Sequence, residues 1–287
     1  MNKTKTKIAL IGGDMRGISA ARSLEENGYE VAACGFDTYS GLSSLPLEQV
    51  LSDAQALLLP VPTLRSEYIN APFSSEKIST ERIINSGSAP RLVFGGMIPD
   101  EISDAFRSAG SSVHDLCKDE RFNIMNAVPT SEGALAIAMS NTERTIDGST
   151  VFVLGYGRIG KVLCRLCNAM GAKVFAISRS KRDLAESAVC QCTSGDYRFF
   201  KEKAGLADII FNTVPAAVID HEILSLLKDE AIVIDLASKP GGVDLLSASK
   251  QGKRVISALS LPGKVAPITA GKIIADCVIS ELREAGL

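Results

Sequence analysis

Val151-Phe-Val-Leu-Gly155-Tyr-Gly157-Arg-Ile-Gly160 is the stretch from which the fold can be inferred. Its four apolar residues, 151–154, are typical of a buried parallel strand, and they lead into a loop with the spacing Gly-x-Gly-x-x-Gly. Apolar residues then recur at helical spacing as far as residue 170, and residues 173–178 form a second apolar run. A strand, a glycine loop, a helix and a second strand together form the βαβ unit in which dinucleotides bind.

The three glycines each have a physical role in such a loop. Gly155 permits the tight turn, Gly157 lets a pyrophosphate approach the backbone, and Gly160 lets the helix pack close to the strand. Free amides of the first helical turn then bind the phosphates. We therefore predict cofactor contacts from Gly155, Gly157, Arg158, Ile159 and Gly160.

The residues after the second strand indicate which cofactor binds. An NAD site usually has an acidic residue about 20 positions after the glycines, which accepts hydrogen bonds from the ribose 2′-hydroxyl. Here the chain reads Ser178-Arg-Ser-Lys-Arg182, and the first acid is Asp183. Cations and hydroxyls suit a ribose 2′-phosphate, which a carboxylate would repel. We predict NADP(H) rather than NAD(H), although a solvated basic turn would have the same composition. The predicted contacts are Ser178, Arg179, Ser180 and Arg182.

The composition argues against several classes of function. The 287 residues are 46% hydrophobic, carry a net charge of −2 and include two histidines. No apolar run is long enough to span a membrane, and residues 1–7 lack the apolar core of a signal peptide. The charge gives no indication of nucleic-acid binding, and the scattered cysteines give none of a metal site. We expect a cytoplasmic protein of about two domains.

The first half of the chain repeats the opening of a nucleotide-binding fold without a convincing phosphate site. Residues 7–11 are a predicted strand, and Gly12-Gly-Asp14-Met-Arg16-Gly17 with a helical pattern follows. Asp14 would place a negative charge where a pyrophosphate should lie. We therefore interpret this half as a substrate domain, with a parallel sheet formed by further apolar runs before residue 95.

The predicted architecture is α/β, with two Rossmann-like, doubly wound parallel sheets separated by a cleft. Residues 126–147 contain Pro129-Thr-Ser-Glu132, which is typical of a helix start, and are predicted to form a linking helix. The first domain should comprise residues 1–125 and a C-terminal helix at 269–287 that packs back on it. Residues 148–268 should form the NADP-binding domain.

The tips of later strands supply the rest of the predicted cofactor site. Asn212-Thr-Val-Pro215 follows one predicted strand, and Asp235-Leu-Ala-Ser-Lys-Pro-Gly-Gly242 follows the next. Because ligands bind beyond the carboxyl ends of parallel strands, both tips should meet the nicotinamide. The predicted contacts are Thr213, Val214, Pro215 and Asp235.

Six sequence blocks, in this order, resemble those of the family formed by the A subunits of dipicolinate synthase. They are Gly12-Gly-Asp-x-Arg16, Pro129-Thr-x-Glu-Gly133, Leu154-Gly-x-Gly-Arg-x-Gly160, Asn212-Thr-x-Pro215, Asp235-Leu-Ala-Ser-x-Pro-Gly-Gly242 and Leu261-Pro-Gly-x-Val-Ala-Pro-x-Thr-Ala-Gly271. The resemblance covers nearly the whole chain. It implies a sporulation enzyme that, with a separate B subunit, oxidises dihydrodipicolinate to pyridine-2,6-dicarboxylate in the mother-cell cytoplasm.

Such a reaction removes a hydride and a proton from a small cyclic imine with two carboxylates. Cations and hydroxyls near strand tips and helix starts would bind the carboxylates. The substrate-binding candidates are Arg16, Thr130, Ser238, Lys239 and Lys264. The catalytic candidates are Asp14, Glu132 and Lys239. Each has a simpler interpretation, since a loop cation is usually solvated, an acid in a first helical turn favours the helix dipole, and water could accept the proton.

Three rival functions stay open at this point. A D-2-hydroxyacid dehydrogenase shares the two-domain plan, but it needs a histidine after the last nucleotide-domain strand, and residues 261–267 contain none. A methylenetetrahydrofolate dehydrogenase has a loop similar to residues 262–269, but it needs a lysine at the early strand tips. A non-catalytic nucleotide-binding subunit would leave the chemistry to a partner. We also predict a homo-oligomer, with no metal and no nucleic-acid or membrane partner.

Overall fold

The structure, a computed structural model, describes residues 5–86 and 89–287. Residues 1–4, which belong to the polar stretch 1–7, lie outside the described residues. The chain folds as two compact units: unit 1 is Met1–Asn126 with Ala266–Leu287, and unit 2 is Ala127–Val265. Residues 127–147, which the sequence assigns to a separate linking helix, thus belong to unit 2. No helix in the described part of the chain is long and apolar enough to cross a membrane.

Unit 1 contains a five-stranded sheet and a short hairpin. In chain order the strands are β1 (Lys7–Ile11), β2 (Glu30–Cys34), β3 (Ala56–Leu58), β4 (Leu64–Arg65), β5 (Tyr68–Ile69), β6 (Leu92–Gly95) and β7 (Ser112–Asp115). The sheet order is β2-β1-β3-β6-β7, with every neighbouring pair parallel, whereas β4 and β5 pair antiparallel. Because the order reverses beside β1, the loops after β1 and β3 lie at the switch point where ligands bind in such sheets.

The helices of unit 1 cover this sheet, and their labels follow the chain order. They are α1 (Met15–Glu26), α2 (Leu47–Leu51), α3 (Thr80–Ile84), α4 (Asp100–Ser108), the first part of α5 (Glu120–Asn141) and α12 (Pro267–Glu284). Helix α5 continues into unit 2.

Unit 2 contains a six-stranded parallel sheet. Its elements are β8 (Thr150–Leu154), α6 (Arg158–Ala169), β9 (Lys173–Ile177), α7 (Lys181–Val189), β10 (Thr193–Gly195), α8 (Tyr197–Lys203), β11 (Ile209–Asn212), α9 (His221–Leu226), β12 (Ile232–Asp235), α10 (Leu245–Lys250), β13 (Arg254–Ser257) and α11 (Leu261–Val265). The order β10-β9-β8-β11-β12-β13 is that of a Rossmann fold. The predicted α/β class with two parallel sheets is therefore confirmed.

Both faces of the unit 2 sheet are buried, which explains the continuous apolar runs in its strands. Val151 and Val153 of β8 belong to a cluster with α6, whereas Phe152 and Leu154 belong to a cluster on the opposite face. Successive side chains of a strand point to opposite faces, so a single apolar run fills both layers.

Two strands of the parallel sheets, β7 and β10, are absent from the sequence prediction, as are β4 and β5 of the short hairpin. Both β7 and β10 lie at an edge of their sheet and have one neighbouring strand. Their sequences, Ser-Val-His-Asp and Thr-Ser-Gly, have no apolar run. An edge strand needs less burial, so its pattern is weak.

The predicted helix start at residues 129–132 is wrong, because α5 begins at Glu120 and continues through Pro129. The carboxylate of Asp119 accepts hydrogen bonds from the amides of Arg121 at 2.7 Å and Phe122 at 3.5 Å. Asp119 thus provides the side-chain cap of this helix, ten residues before the predicted start.

Helix α12 packs against α1 in unit 1, as predicted. Gly271 permits this approach. A Cβ atom at Gly271 would lie 2.5 Å from the carbonyl oxygen of Arg16 and 2.5 Å from Cβ of Ser19. The two helices therefore meet at a backbone contact with no room for a side chain.

We expect Gly271→Val to lower the free energy of unfolding of unit 1 by about 3 kcal/mol, because the branched side chain must force two backbones apart. Urea denaturation followed by circular dichroism measures this change. Lys272→Ala, at an exposed neighbouring position, is the control and should change the free energy by less than about 0.5 kcal/mol. Equal midpoints for the two variants would contradict the packing.

Candidate functional site

The glycine loop between β8 and α6 has a different steric requirement at each glycine. Gly155 has a φ of +90°, and Gly160 is so close to it that a Cβ atom there would lie 2.0 Å from the Gly155 carbonyl oxygen. Gly157, by contrast, has free space where its Cβ would be, and it occupies the N-cap of α6 without a side chain that accepts from the helix amides. The first turn of α6 therefore has no side-chain cap from Gly157 and begins beside open space, which is the arrangement that binds phosphate.

A pocket of about 470 Å³ lies at this loop in unit 2. Eleven residues line it: Gly155, Tyr156, Gly157, Ser178, Arg179, Ser180, Asp183, Tyr197, Thr213, Val214 and Pro215. Eight of these are predicted cofactor residues, drawn from three different strand tips. The structure thus brings the glycine loop, the end of β9 and the end of β11 together at the switch point of the sheet.

Tyr156, Asp183 and Tyr197 line the pocket although the sequence analysis did not select them as site residues. Tyr156 lies between two glycines of the loop, so its position was a usable signal. Asp183 is in the first turn of α7, and its amide hydrogen donates to Ser180 Oγ at 3.3 Å. Tyr197 opens a helix that no motif identifies.

The end of the pocket formed by β9 contains both a cation and a carboxylate. Arg179 and Ser180 are exposed, whereas Ser178 is 7% exposed. The Ser178 hydroxyl donates to Asp183 Oδ2 at 2.8 Å and accepts from the Ser180 amide at 3.1 Å. Asp183, which follows the basic stretch in the sequence, thus places its carboxylate at the pocket, where one of its oxygens accepts the hydrogen bond from Ser178.

Arg182, also predicted to contact the cofactor, does not line the pocket. Its Nε donates to Glu186 Oε1 at 2.8 Å, one turn further along α7, and its side chain is 84% exposed. An i,i+4 pair on an exposed helix face accounts for this position. The structure therefore separates Arg182 from Arg179, which lies at the pocket.

Arg158 and Ile159 occupy the first turn of α6 but are not among the residues that line the pocket. Ile159 packs against the core, and its carbonyl oxygen accepts from the hydroxyl of Ser131 at 3.3 Å. Its contribution to a phosphate site would therefore be its backbone amide.

A buried pair, Asn212 and Asp235, connects the tips of β11 and β12. Asn212 Nδ2 donates to Asp235 Oδ1 at 2.8 Å and to the Val214 carbonyl at 3.1 Å. Asp235 also accepts from the amides of Ala237 and Gly242, each at 3.2 Å. With its carboxylate engaged in this way, Asp235 holds the loops in place, and it does not line the pocket.

The predicted substrate lysines lie at the surface of unit 2. Ser238 and Lys239 are exposed in the loop after β12. Lys264 is also exposed, but it lies in the short helix α11, where the sequence predicted a loop, and its Nζ donates to the Leu259 carbonyl at 3.0 Å.

The residues of α5 that were predicted from an apparent helix start do not lie at the start of the helix. Thr130, Ser131 and Glu132 lie in the helix interior, and Ser131 Oγ donates to the Ala127 carbonyl at 2.8 Å. Glu132 is exposed there. Its interpretation as an acid at a helix N-terminus is therefore wrong.

In the glycine loop of unit 1, the side chains of Asp14 and Arg16 bind each other. Asp14 is the N-cap of α1 and accepts from the Arg16 amide at 3.0 Å. The Arg16 guanidinium donates back to both oxygens of Asp14 and also to the Val61 carbonyl. The Arg16 side chain is 12% exposed, and the cavity at the loop holds only about 10 Å³. Asp14 and Arg16 thus neutralise each other's charge at this loop, so a ligand there would meet an ion pair and not a lone cation.

Family models match both parts of the chain. Residues 7–117 match the N-terminal domain of the dipicolinate synthase A subunit, and residues 128–243 match the NAD binding domain of D-isomer specific 2-hydroxyacid dehydrogenases. The A subunit of dipicolinate synthase from Bacillus subtilis (strain 168) is 32% identical over 290 residues, which cover 97% of this chain and 96% of that protein.

Solved structures give the same result. Dipicolinate synthase A from Bacillus subtilis has a TM-score of 0.88 at 31% identity, covering 98% of this chain and 97% of that one. Its counterpart from Bacillus halodurans has a TM-score of 0.86 at 31% identity, covering 96% and 97%. A transhydrogenase from Sinorhizobium meliloti, at 17% identity and a TM-score of 0.71 over 96% and 94%, shows a similar fold.

We expect Gly157→Val to abolish dinucleotide binding while the protein stays folded. The free space at Gly157 admits a side chain in the protein alone, but that side chain fills the path of the pyrophosphate. Isothermal titration with NADPH, together with a thermal melt, measures both effects.

Gly160→Ala is the matched comparison, since its Cβ would meet the Gly155 carbonyl at 2.0 Å. This variant should lose stability as well as binding. Normal cofactor affinity in a folded Gly157→Val protein would show that the dinucleotide binds at another site.

Proposed function

This chain belongs to the family of dipicolinate synthase A subunits, and on that premise we propose that it oxidises dihydrodipicolinate to dipicolinate with NADP. The observation that carries the proposal is the pocket at the switch point of unit 2, with the glycine N-cap of α6 on one side and Arg179 on another. The matched dehydrogenase domain makes the chain a dehydrogenase with a nicotinamide cofactor. The choice of NADP and of this substrate is our inference.

The reaction converts dihydrodipicolinate and NADP⁺ into dipicolinate, NADPH and a proton. NADP, when bound, accepts the hydride. Because the product is aromatic, the oxidation is downhill, and the protein mainly has to orient the ring and bind the carboxylates. The α6 amides would hold the pyrophosphate. Arg179 and Ser180 would hold the 2′-phosphate, beside the Asp183 carboxylate, one oxygen of which accepts a hydrogen bond from the Ser178 hydroxyl.

Other residues have positioning or substrate-binding roles in this proposal. Asn212 and Asp235 position the strand tips that face the nicotinamide. The exposed side chains of Ser238, Lys239 and Lys264 supply donors for the substrate carboxylates. Arg16, Thr130, Asp14 and Glu132 stay candidates for substrate binding and proton transfer.

The partners and location follow from the same premise. The Bacillus subtilis relative is named as the A subunit of its enzyme, and we propose that this chain likewise works with a B subunit. We further propose a homo-oligomer located in the mother-cell cytoplasm during sporulation.

A D-2-hydroxyacid dehydrogenase activity fits the site less well. The matched domain covers residues 128–243, but that chemistry needs a histidine at the site. Neither histidine of the chain lines the pocket of unit 2: His114 Nδ1 is 3.1 Å from Glu281 Oε2 in unit 1, and His221 Nδ1 is 2.9 Å from Gln251 Nε2.

We expect Arg179→Gln to weaken NADP(H) binding roughly ten- to a hundredfold while NAD(H) binding changes little. The lost interaction is a charge-assisted hydrogen bond to the 2′-phosphate, worth about 1.5–3 kcal/mol. Calorimetric titration with both cofactors measures the change.

Arg182→Gln is the matched control, because Arg182 belongs to the same basic stretch but pairs with Glu186 outside the pocket. Its affinities should equal those of the unchanged protein. If the unchanged protein bound NADP(H) and NAD(H) with equal affinity, the assignment of the basic stretch to a 2′-phosphate would be contradicted.

The proposed reaction is tested by incubating dihydrodipicolinate and NADP⁺ with this chain, with and without a B subunit. We expect NADPH and dipicolinate to form in equal amounts, and Lys239→Ala to raise KM for the substrate about tenfold or more while NADP affinity stays the same. Lys250→Ala, an exposed lysine of α10, is the control. A chain that binds NADP but forms no product with either preparation would instead be a non-catalytic nucleotide-binding subunit.

A further inference from the structure

Four of the seven cysteines gather in one part of unit 2. Cys164 and Cys167 lie on α6, and Cys190 and Cys192 lie in the turn between α7 and β10. All seven cysteines belong to the described part of the chain, and all are free thiols. Their spacing in the sequence does not indicate a metal site, and nothing in the proposed reaction uses them.

The sulfur of Cys192 lies against one face of α6. Asn168 Nδ2 donates to Cys192 Sγ at 3.4 Å, and Cys164, four residues before Asn168 on the same face of α6, packs in one core cluster with Cys192. Asn168 Nδ2 also donates to the Cys190 carbonyl at 2.9 Å, which fixes the amide beside the sulfur. Hydrogen bonds of this kind stabilise a thiolate more than a neutral thiol.

The pKa values of the thiols follow this geometry. The hydrogen bond from Cys164, followed by that from Asn168, lowers the pKa of Cys192 to about 7 against the opposing effect of burial. Its partnership with Cys192, together with burial, raises the pKa of Cys164. Burial raises the pKa of Cys167 to about 12. One sulfur of the cluster thus ionises near neutral pH while its contact partner keeps its proton.

The cluster lies beside an open pocket of about 690 Å³ between α6 and α7. Asn168 and Cys190, which both contact Cys192, line this pocket. Cys192 itself is 7% exposed and Cys164 is fully buried. The pocket thus reaches the two residues that contact Cys192, while Cys164 is more deeply buried than Cys192.

We propose that Cys192 and Cys164 form a peroxide-reactive thiol pair that closes to a reversible disulfide. The Cys192 thiolate attacks the O–O bond of hydrogen peroxide, which forms the S–O bond of a sulfenic acid and releases hydroxide. The Cys164 sulfur then attacks Cys192, the S–O bond breaks, and the hydroxyl leaves as water with the Cys164 proton. The two thiols lose two electrons, and one peroxide becomes two waters.

The experiment treats the full-length protein with hydrogen peroxide, blocks the remaining thiols with N-ethylmaleimide, and identifies tryptic peptides by mass spectrometry. Trypsin cleaves after Lys161, Arg165, Arg182 and Arg198, so Cys164 and Cys167 fall in different peptides. We expect peptide 162–165 linked to peptide 183–198, with the link lost after dithiothreitol. Fragmentation at Gln191 distinguishes Cys192 from Cys190.

Variants sharpen this test. Cys192→Ser and Cys164→Ser should each abolish the link, whereas Cys190→Ser and Cys277→Ser should keep it, with circular dichroism confirming the fold. Asn168→Ala should slow oxidation at neutral pH roughly tenfold, because the thiolate loses a donor.

The rate of linkage should fall as the pH drops below about 7, since Cys192 is then protonated. The titratable groups that face Cys192 are Tyr156, Cys164, Cys167 and Cys190. The proposal is overturned if Cys190 is oxidised while Cys164 and Cys192 stay unlinked, or if the link survives in Cys192→Ser. The linkage pattern of the unchanged protein is decisive by itself, so the test does not depend on whether every variant folds.

Discussion

The close contact between Gly160 and the Gly155 carbonyl oxygen is the constraint on which the site in unit 2 depends. A Cβ at Gly160 would lie 2.0 Å from that oxygen, so any larger residue pushes α6 away from β8. The contact brings the first turn of α6 to the carboxyl ends of the strands, where β8 and β11 lie side by side. The uncapped start of α6, the end of β8 and the switch point therefore coincide, and a dinucleotide needs all three.

A second constraint shapes the neighbouring strand tips. The Asn212–Asp235 pair is buried. The Asp235 carboxylate accepts hydrogen bonds from Asn212 Nδ2 and from the amides of Ala237 and Gly242, which makes its burial tolerable. Gly242 completes the arrangement, since a Cβ there would lie 2.2 Å from Asn212 Nδ2 and 2.4 Å from the Val214 carbonyl. The sequence Asp-Leu-Ala-Ser-x-Pro-Gly-Gly thus specifies the shape of the loops first, and through that shape it specifies where ligand-binding groups lie.

The sequence predicted what rests on local patterns and missed what rests on tertiary position. Buried strands such as β8 and β12 were identified because burial on both faces requires continuous apolar residues. The edge strand β10 carries no such requirement. Pro129-Thr-Ser-Glu132 has the composition of a helix start, but Asp119 provides the cap, and the local pattern does not reveal that the proline lies inside a longer helix. Likewise, Arg179 and Arg182 look equivalent in sequence, and only the turn into α7 separates them.

The two glycine loops of the chain show how one residue changes the chemistry of a common βα unit. At the N-cap of α1 stands Asp14, whose carboxylate accepts from the Arg16 amide and whose charge is paired with the Arg16 guanidinium. At the N-cap of α6 stands Gly157, which offers no side-chain acceptor. An Asp cap stabilises a helix by about 1 kcal/mol but blocks the amides, whereas a glycine cap forgoes part of that stability and leaves the amides for a ligand. The same strand, turn and helix therefore present a paired carboxylate and guanidinium in unit 1 and a helix start without a side-chain cap in unit 2.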